Sequence, residues 1–309
     1  MNVLSLFDGC STGLFVLKKL GIPVRNYFAA EIDAPAMQVA KANHPEIQHI
    51  GDVTKVFAKD LPRIDLIIGG SPCQGFSFAG KRLNLEDPRS KLFWEYKRLV
   101  DECRKLNPDL LFFLENVRMD KKSQEVISDA LQCEPVFFNS KTISAASRPR
   151  LYWTNIAAKP AGLFGRVTFG GHIPAKDTGV VLADILESDV DEKYYLLLEG
   201  KEIKYAVSEW HHKKQYTALN PDKALCLKAI GYKFCNGTYI SPKQIGSWNG
   251  GGQGSRIRRL TPVECERIQG FTDNYTAAAS DAQRYKMLGN GWQGDTIELF
   301  FRYLKIVKK

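Results

Sequence analysis

The segment Gly69-Gly70-Ser71-Pro72-Cys73-Gln74-Gly75-Phe76-Ser77 sets a thiol after a proline, among glycines, behind the apolar run 65–69. A structural cysteine normally replaces an aliphatic side chain inside a periodic apolar pattern. Cys73 has no such pattern around it. An open α/β sheet binds its ligands in the loops at the carboxyl ends of its strands, and a thiol there becomes a nucleophile when a nearby charge or dipole lowers its pKa. A second apolar run, Leu110-Leu111-Phe112-Phe113-Leu114, is followed by Glu115-Asn116-Val117, which brings a carboxylate to the same edge. Glutamate is a poor helix cap; a desolvated one beside a reactive thiol suits general acid work near neutral pH. Cys10, Cys103 and Cys133 stand in turn or helix positions that read as packing.

A second constellation opens the chain. The first apolar run leads into Phe7-Asp8-Gly9-Cys10-Ser11-Thr12-Gly13, a glycine-bearing turn that begins a helix, with Glu31 22 residues after Gly9. In doubly wound sheets such a turn holds a nucleotide-like ligand, and an acid about 20 residues on bonds ribose hydroxyls. The turn lacks Gly-x-Gly-x-x-Gly and puts Asp8 where a pyrophosphate would have to approach. That disfavours a nicotinamide dinucleotide and favours a cofactor carrying an ammonium group and a ribose, such as S-adenosylmethionine. Gly51-Asp52-Val53 adds an acid suited to accept from an exocyclic adenine amine.

These groups need a scaffold that brings strand ends together. The first half alternates short apolar runs with amphipathic stretches, the pattern of strands joined by helical crossovers. Strands are predicted at 3–7, 27–32, 47–50, 65–69, 110–115 and 135–143. Leu14, Leu17 and Leu20 share a face of a first helix that stops at Gly21-Ile22-Pro23, and Asp33 caps a second that runs to Asn43. Leu92, Phe93, Tyr96, Leu99, Val100 and Cys103 give a third helix, Lys91 to Leu106, the period of a buried face. Past Ala157 the alternation stops, and periodic helix returns only at 262–268 and 296–307. The fold class expected is α/β: a doubly wound, mostly parallel sheet with a smaller irregular domain. The boundaries expected are 1–156 plus 271–309 for the catalytic, cofactor-binding domain and 157–270 for the smaller one.

The chain has 309 residues, 44% hydrophobic and 25% charged, with a net charge of +9. These proportions exclude a disordered, collagenous or disulfide-built class. Its seven cysteines form no Cys-x-x-Cys, so neither a disulfide framework nor a structural zinc site is expected. No transmembrane run or secretory signal is read, and a reducing, cytoplasmic setting is expected. The positive charge is concentrated: 201–259 holds eleven lysines and arginines against three acids, seven aromatic residues, and the run Asn249-Gly250-Gly251-Gly252-Gln253-Gly254. Such a surface neutralises phosphates and approaches a groove closely.

Taken in order, the motifs resemble those of the DNA (cytosine-5) methyltransferase family. Phe7-Asp8-Gly9 through Gly13 is similar to its first motif, Glu31 to its second, Asp52 to its third, Ser71-Pro72-Cys73-Gln74 to its catalytic loop, and Glu115-Asn116-Val117 to its sixth. Arg148-Pro149-Arg150 resembles the eighth, the stretch from Arg258 to Phe271 the ninth, and Gly289-Asn290-Gly291 the tenth. The ninth motif looks bacterial or phage-like, whereas the first motif and Trp292 resemble the vertebrate de novo branch. Two positions depart from the pattern: Ala146 stands where the family often has glutamine, and Trp292 where small residues or valine usually follow.

The resemblance implies a class I, Rossmann-like fold and methyl transfer from S-adenosylmethionine to C5 of a flipped-out cytosine, leaving S-adenosylhomocysteine, with no metal. Cys73 would add to C6 while Glu115 engages N3 and the exocyclic amine, and Arg148 and Arg150 would position the base. The cofactor would be held by Phe7, Asp8, Gly9, Gly13, Glu31, Ile32, Asp52, Val53, Leu92, Asn290 and Trp292. The loop 77–91, with Lys81, Arg82, Arg89 and Lys91, would close over DNA as a lid, and 201–259 would recognise the target. The partner implied is double-stranded DNA, met by a monomer at no membrane, in the cytoplasm of a bacterium or phage host; a cognate restriction endonuclease is a candidate second partner. The rivals are the same chemistry on tRNA, a catalytically silent DNA-binding homologue, and a nicotinamide oxidoreductase, opposed by the missing fingerprint and Asp8.

Overall fold

The computed structural model describes residues 1–71, 91–162, 165–196, 204, 206–229, 237–241 and 256–305. In chain order the elements of the first half are β1 (Asn2–Leu6), α1 (Thr12–Lys19), β2 (Asn26–Ala30), α2 (Ala34–Asn43), β3 (Gln48–His49), β4 (Leu66–Gly69), α3 (Lys91–Leu106), β5 (Leu111–Val117), α4 (Lys121–Leu131) and β6 (Val136–Asn139). They are followed by β7 (Pro149–Thr154), β8 (Ala158–Ala161), β9 (Arg166–Phe169), α5 (Glu209–Lys213), β10 (Thr217–Leu219), β11 (Gly237–Ile240), β12 (Arg258–Arg259), α6 (Pro262–Ile268), α7 (Asp281–Asn290) and α8 (Gly294–Phe301). Among the described residues no helix is long and apolar enough to cross a membrane.

The chain divides into two compact units. The first comprises 1–139, 149–173 and 294–309, and holds a seven-stranded sheet of order β3-β2-β1-β4-β5-β7-β6. Strands β1 to β5 pair in parallel, while β7 runs antiparallel between β5 and β6. The expected α/β class with a mostly parallel sheet is the one observed. Strand β4 is buried at every position, as an apolar run covered on both faces requires.

Register decides what the sheet can do. Leu6 pairs with both Ala30 and Gly69, and Gly69 pairs with Leu114, so Ala30, Leu6, Gly69 and Leu114 form one row across four parallel strands. The next residues in the chain are Glu31, Phe7, Gly70 and Glu115. On the outer side, Ile50 donates its backbone N to the carbonyl of Ala29, which leaves Asp52 just past the end of β3.

The second unit comprises 140–148 and 174–293. It contains the small sheet β10-β11-β12, a core of Leu196, Ala206, Tyr239 and Ile257, and helices α5 to α7. The boundaries therefore differ from those expected at 156 and 271. The hairpin β8–β9 joins the first unit because Phe169 packs its ring on Phe300 and Tyr303. Helix α6 and α7 join the second, where Arg258 and Glu264, 5% and 0% exposed, form a two-pronged ion pair at 2.7 and 2.8 Å. The stretch read as the ninth motif builds α6: Thr261 and Glu264 close a capping box and Pro262 occupies its first turn.

Candidate active site

The first motif folds into a turn that uses the left-handed region repeatedly: Phe7, Gly9 and Ser11 have φ of 58, 59 and 62°. It is pinned to β2 by Phe7 and Asp8, whose backbone N atoms both donate to the carbonyl of Ala30. Gly13 lets α1 lie against the sheet, since a Cβ there would come 2.3 Å from Ile68 Cδ1. The Asp8 carboxylate accepts hydroxyls from Ser5 at 2.5 Å and Tyr27 at 2.7 Å, and a further one from Ser11. Burial raises its pKa and the charge of Glu31 adds to this, while the three hydroxyls act the other way. Asp8 thus braces the turn from inside.

Glu31 faces outward on the same edge, half-buried. Its Oε2 accepts from the backbone N of Gly9 at 2.7 Å, and its Oε1 from those of Ile32 and Asp33 at 2.8 Å. Asp33 is the N-cap residue of α2, but the carboxylate receiving the backbone there is that of Glu31. Asp52 accepts from the backbone N of Thr54 at 2.9 Å, which together with the Thr54 hydroxyl holds its carboxyl below the usual range. Apolar residues flank these acids in the chain: Phe7 and Ile50 are partly buried against the core, Val53 is buried, and Ile32 is 78% exposed; Leu92, on α3, is partly buried against the same core. Carboxylate acceptors beside apolar surface are what ribose hydroxyls, an amine and a flat ring can use.

Glu115 is delivered by β5. It is 8% exposed, and Arg150 on the neighbouring β7 brings its Nε to 2.7 Å from Oε1. Glu115 pairs with Tyr152 and Val117 with Arg150, so acid and arginine are diagonal neighbours on one face. Asn116, quoted in the motif but assigned no role from the sequence, is buried and donates its amide to the carbonyl (3.4 Å) and hydroxyl (3.2 Å) of Ser71. It ties the entrance of the Cys73 loop to the strand that carries Glu115. Cys73 itself, residues 77–90 of the loop expected to act as a lid, and the glycine run 249–254 lie outside the described residues.

The two motif arginines do different work. Arg148 belongs to the second unit and is 5% exposed. Its guanidinium donates to the carbonyls of Gly289 (3.3 Å), Asn290 (3.4 Å) and Gly291. Asn290, exposed, and Trp292, half-buried, lie in the same unit at and just past the end of α7. The Lys228–Ala229 backbone presses on this turn, for a Cβ at Gly289 would meet the Lys228 carbonyl carbon at 2.2 Å. The described residues near Arg148 therefore make it a clamp on the tenth motif, a role that i, i+2 spacing with Arg150 did not suggest. Ala146, at the departure from the family pattern, is buried in a bridge with Ala224.

Cys103 and Cys133 are buried, and burial pushes their thiols up to about 12, inert at neutral pH. Among the described residues no three His, Cys, Asp or Glu side chains gather as a metal would need.

A family model for the C-5 cytosine-specific DNA methylase matches residues 1–305. The chain belongs to the C-5 cytosine-specific DNA methylases. The methylase is 30% identical to the Type II methyltransferase M1.ScrFI of Lactococcus lactis subsp. cremoris, over 93% of this chain and 74% of the relative. It is 29% identical to the Type II methyltransferase M.NlaX of Neisseria lactamica, over 94% and 91% of the two chains. The Entamoeba histolytica methyltransferase EhMeth shares its fold with a TM-score of 0.75 at 19% identity, over 100% of this methylase and 99% of that chain. The S. pombe Dnmt2 methyltransferase does so with a TM-score of 0.70 at 17% identity, over the whole of both. The family expected from eight collinear motifs is the family found.

Proposed function

We propose that this methylase transfers a methyl group from S-adenosylmethionine to C5 of cytosine in duplex DNA, through a transient bond between Cys73 and the base. The observation that carries the reading is the row Ala30–Leu6–Gly69–Leu114. It supports a common edge at which Glu31 and Phe7, the start of the Cys73 loop and Glu115 follow one another across parallel strands.

Glu31 and Asp52 would hold the ribose and adenine amine, with Phe7, Ile32, Val53 and Leu92 against the ring and Gly9 and Gly13 letting the turn approach. Asp8 would keep that turn in shape, while Asn290 and Trp292 are assigned to the cofactor by the resemblance of the tenth motif alone. S-adenosylmethionine bound there supplies an electrophilic methyl on sulfonium. The Cys73 thiolate adds to C6 of a flipped base, Glu115 holds a proton at N3, and C5 becomes electron-rich enough to take the methyl. Loss of the C5 proton to a base and cleavage of the sulfur–C6 bond restore the ring and free Cys73. Arg150 holds Glu115 at its working angle, and Arg148 reaches the base only through the turn that it clamps.

The second unit, which contains the basic stretch 201–259, would read the target. The names of the relatives, Type II methyltransferases, support a place in a restriction–modification pair with a cognate endonuclease. The methylase would act there as a monomer in the cytoplasm. Tritium transfer from labelled S-adenosylmethionine to duplex DNA, single-stranded DNA and tRNA tests the reading. Incorporation into duplex DNA is expected, lost in Cys73→Ser and trapped covalently by 5-fluorocytosine. Transfer to tRNA alone overturns it.

A further inference from the structure

Residues 50–65 join β3 to β4 through two single turns of 3-10 helix, Val53–Lys55 and Ala58–Asp60. Val53, Val56 and Ala58 are buried in the core, which fixes this segment's depth. Its height along the sheet edge is fixed by polar contacts that no motif contains. Arg98, in the middle of α3, donates Nη2 to the carbonyls of Val53 at 3.3 Å and Val56 at 2.9 Å. One turn before it on the helix, Glu95 accepts from its Nε at 2.9 Å; one turn after, Glu102 accepts from its Nη1 at 2.7 Å. The other oxygen of Glu102 accepts from the backbone N of Ala58 at 3.0 Å. The guanidinium also covers the ring of Phe57, 5.2 Å from its centroid.

One arginine and two glutamates thus bind three backbone groups within six residues, beginning at the carbonyl of the residue after Asp52. The arrangement needs a planar fork with several donors in fixed directions; a lysine ammonium is a point charge and cannot serve both carbonyls and both carboxylates. Burial alone would raise the Glu102 carboxyl, yet Ala58 and Arg98 hold it below the usual range. Helix α3 also carries Leu92 in its first turn and is the first described element after the Cys73 loop.

We propose that Arg98 is a positioning residue for the cofactor. Gripped by Glu95 and Glu102, it holds the Val53–Ala58 backbone so that Asp52 and Val53 meet the adenine of S-adenosylmethionine at a fixed place. The inference rests on the reading of Asp52 and Val53 as cofactor residues. Misplacement by a fraction of an ångström there weakens binding without touching the reacting groups.

Calorimetric titration with S-adenosylmethionine and S-adenosylhomocysteine tests it on the full chain. Arg98→Met, which keeps the stem's bulk, is expected to weaken cofactor binding about tenfold, and Arg98→Lys to recover only part of the loss. KM for S-adenosylmethionine rises by the same factor, whereas kcat at saturation and KM for DNA stay within about twofold. Lys97→Met, one position away, leaves all four values unchanged. Unaltered cofactor affinity in a folded Arg98→Met protein overturns the proposal, as does an equal loss in kcat and in DNA affinity. Should Arg98→Met not fold, Glu102→Gln, which still accepts from Ala58, carries the test with an expected loss of about threefold, and no loss overturns it. Asp52→Ala separates the two readings. If it weakens binding and Arg98→Met does not, only the positioning role fails; if Asp52→Ala has no effect, the cofactor site itself is misassigned.

Discussion

Among the described residues, Glu115 owes its setting to Arg150. With Arg150 at 2.7 Å and both side chains largely buried, removal of the arginine leaves a carboxylate out of water with its charge unmatched. Arg150→Met is therefore expected to lower stability by about 3 kcal/mol, read by denaturant unfolding, and to slow turnover. Glu115→Gln is expected to slow methyl transfer by roughly 100- to 10,000-fold, the range for losing a general acid, with S-adenosylmethionine affinity retained in the titration. Equal loss of cofactor binding would count against the separation of the two sites. Asp8 makes a pH prediction. Burial raises its pKa in the fold above the ordinary aspartate value of 3.8, so the folded protein holds that proton more tightly than the unfolded chain. Its contribution is thus fully present below pH 3.8 and is lost as pH rises through the folded value. Asp8→Asn removes the titration, and its stability relative to the parent should climb with pH through that window and then level off. Thermal unfolding between pH 3 and 8 checks the sign.

Among the elements, those built on one strong apolar period were legible in advance. Helix α3 begins and ends where predicted, at Lys91 and Leu106, because Phe93, Tyr96, Leu99, Val100 and Cys103 form an unbroken buried face ended by Pro108. Strands β1, β2, β4 and β5 fall within a residue or two of expectation for the same reason. Helix α4 was not anticipated: of its eleven residues only Ile127, Ser128 and Leu131 are buried, too sparse a pattern to stand out. Strand β7 hides its four buried residues behind Pro149 and Arg150, which read as a motif and not as a strand. Helix α7 carries Gly289 in its last turn, where local propensity argues against helix and a passing backbone demands it. The same feature predicts that Gly289→Ala destabilises by about 3 kcal/mol, since the Lys228 backbone has no room to yield. In the candidate site, the positions of Glu115 and Glu31 were readable because each ends an apolar run; the contacts of Asn116 and Arg98 are with groups distant in sequence, which side-chain pattern does not report. Helix α6 was legible from both ends, and loss of the Thr261 cap in Thr261→Ala should cost about 1 kcal/mol, measured by denaturant midpoint.

At the scale of the whole chain, a net charge of +9 makes association with a polyanion strongly salt-dependent. Each lysine of the second unit that meets a phosphate should lower the slope of log affinity against log salt by about one when changed to alanine. Lys213 and Lys214, exposed on and after α5, are direct choices for titration by fluorescence anisotropy. Order along the chain adds a constraint of another kind. Helix α8 completes the first unit: it packs on α1, with Lys19 bonded to Asp295 and Glu298 at 3.0 Å, and sets the rings of Phe300 and Phe301 about 5.2 Å from that of Phe113. Yet it is synthesised after every residue of the second unit. During translation, then, one greasy side of the central sheet must wait uncovered while more than a hundred further residues leave the ribosome, and a nascent chain halted before position 294 should bind chaperones and expose that side to proteases.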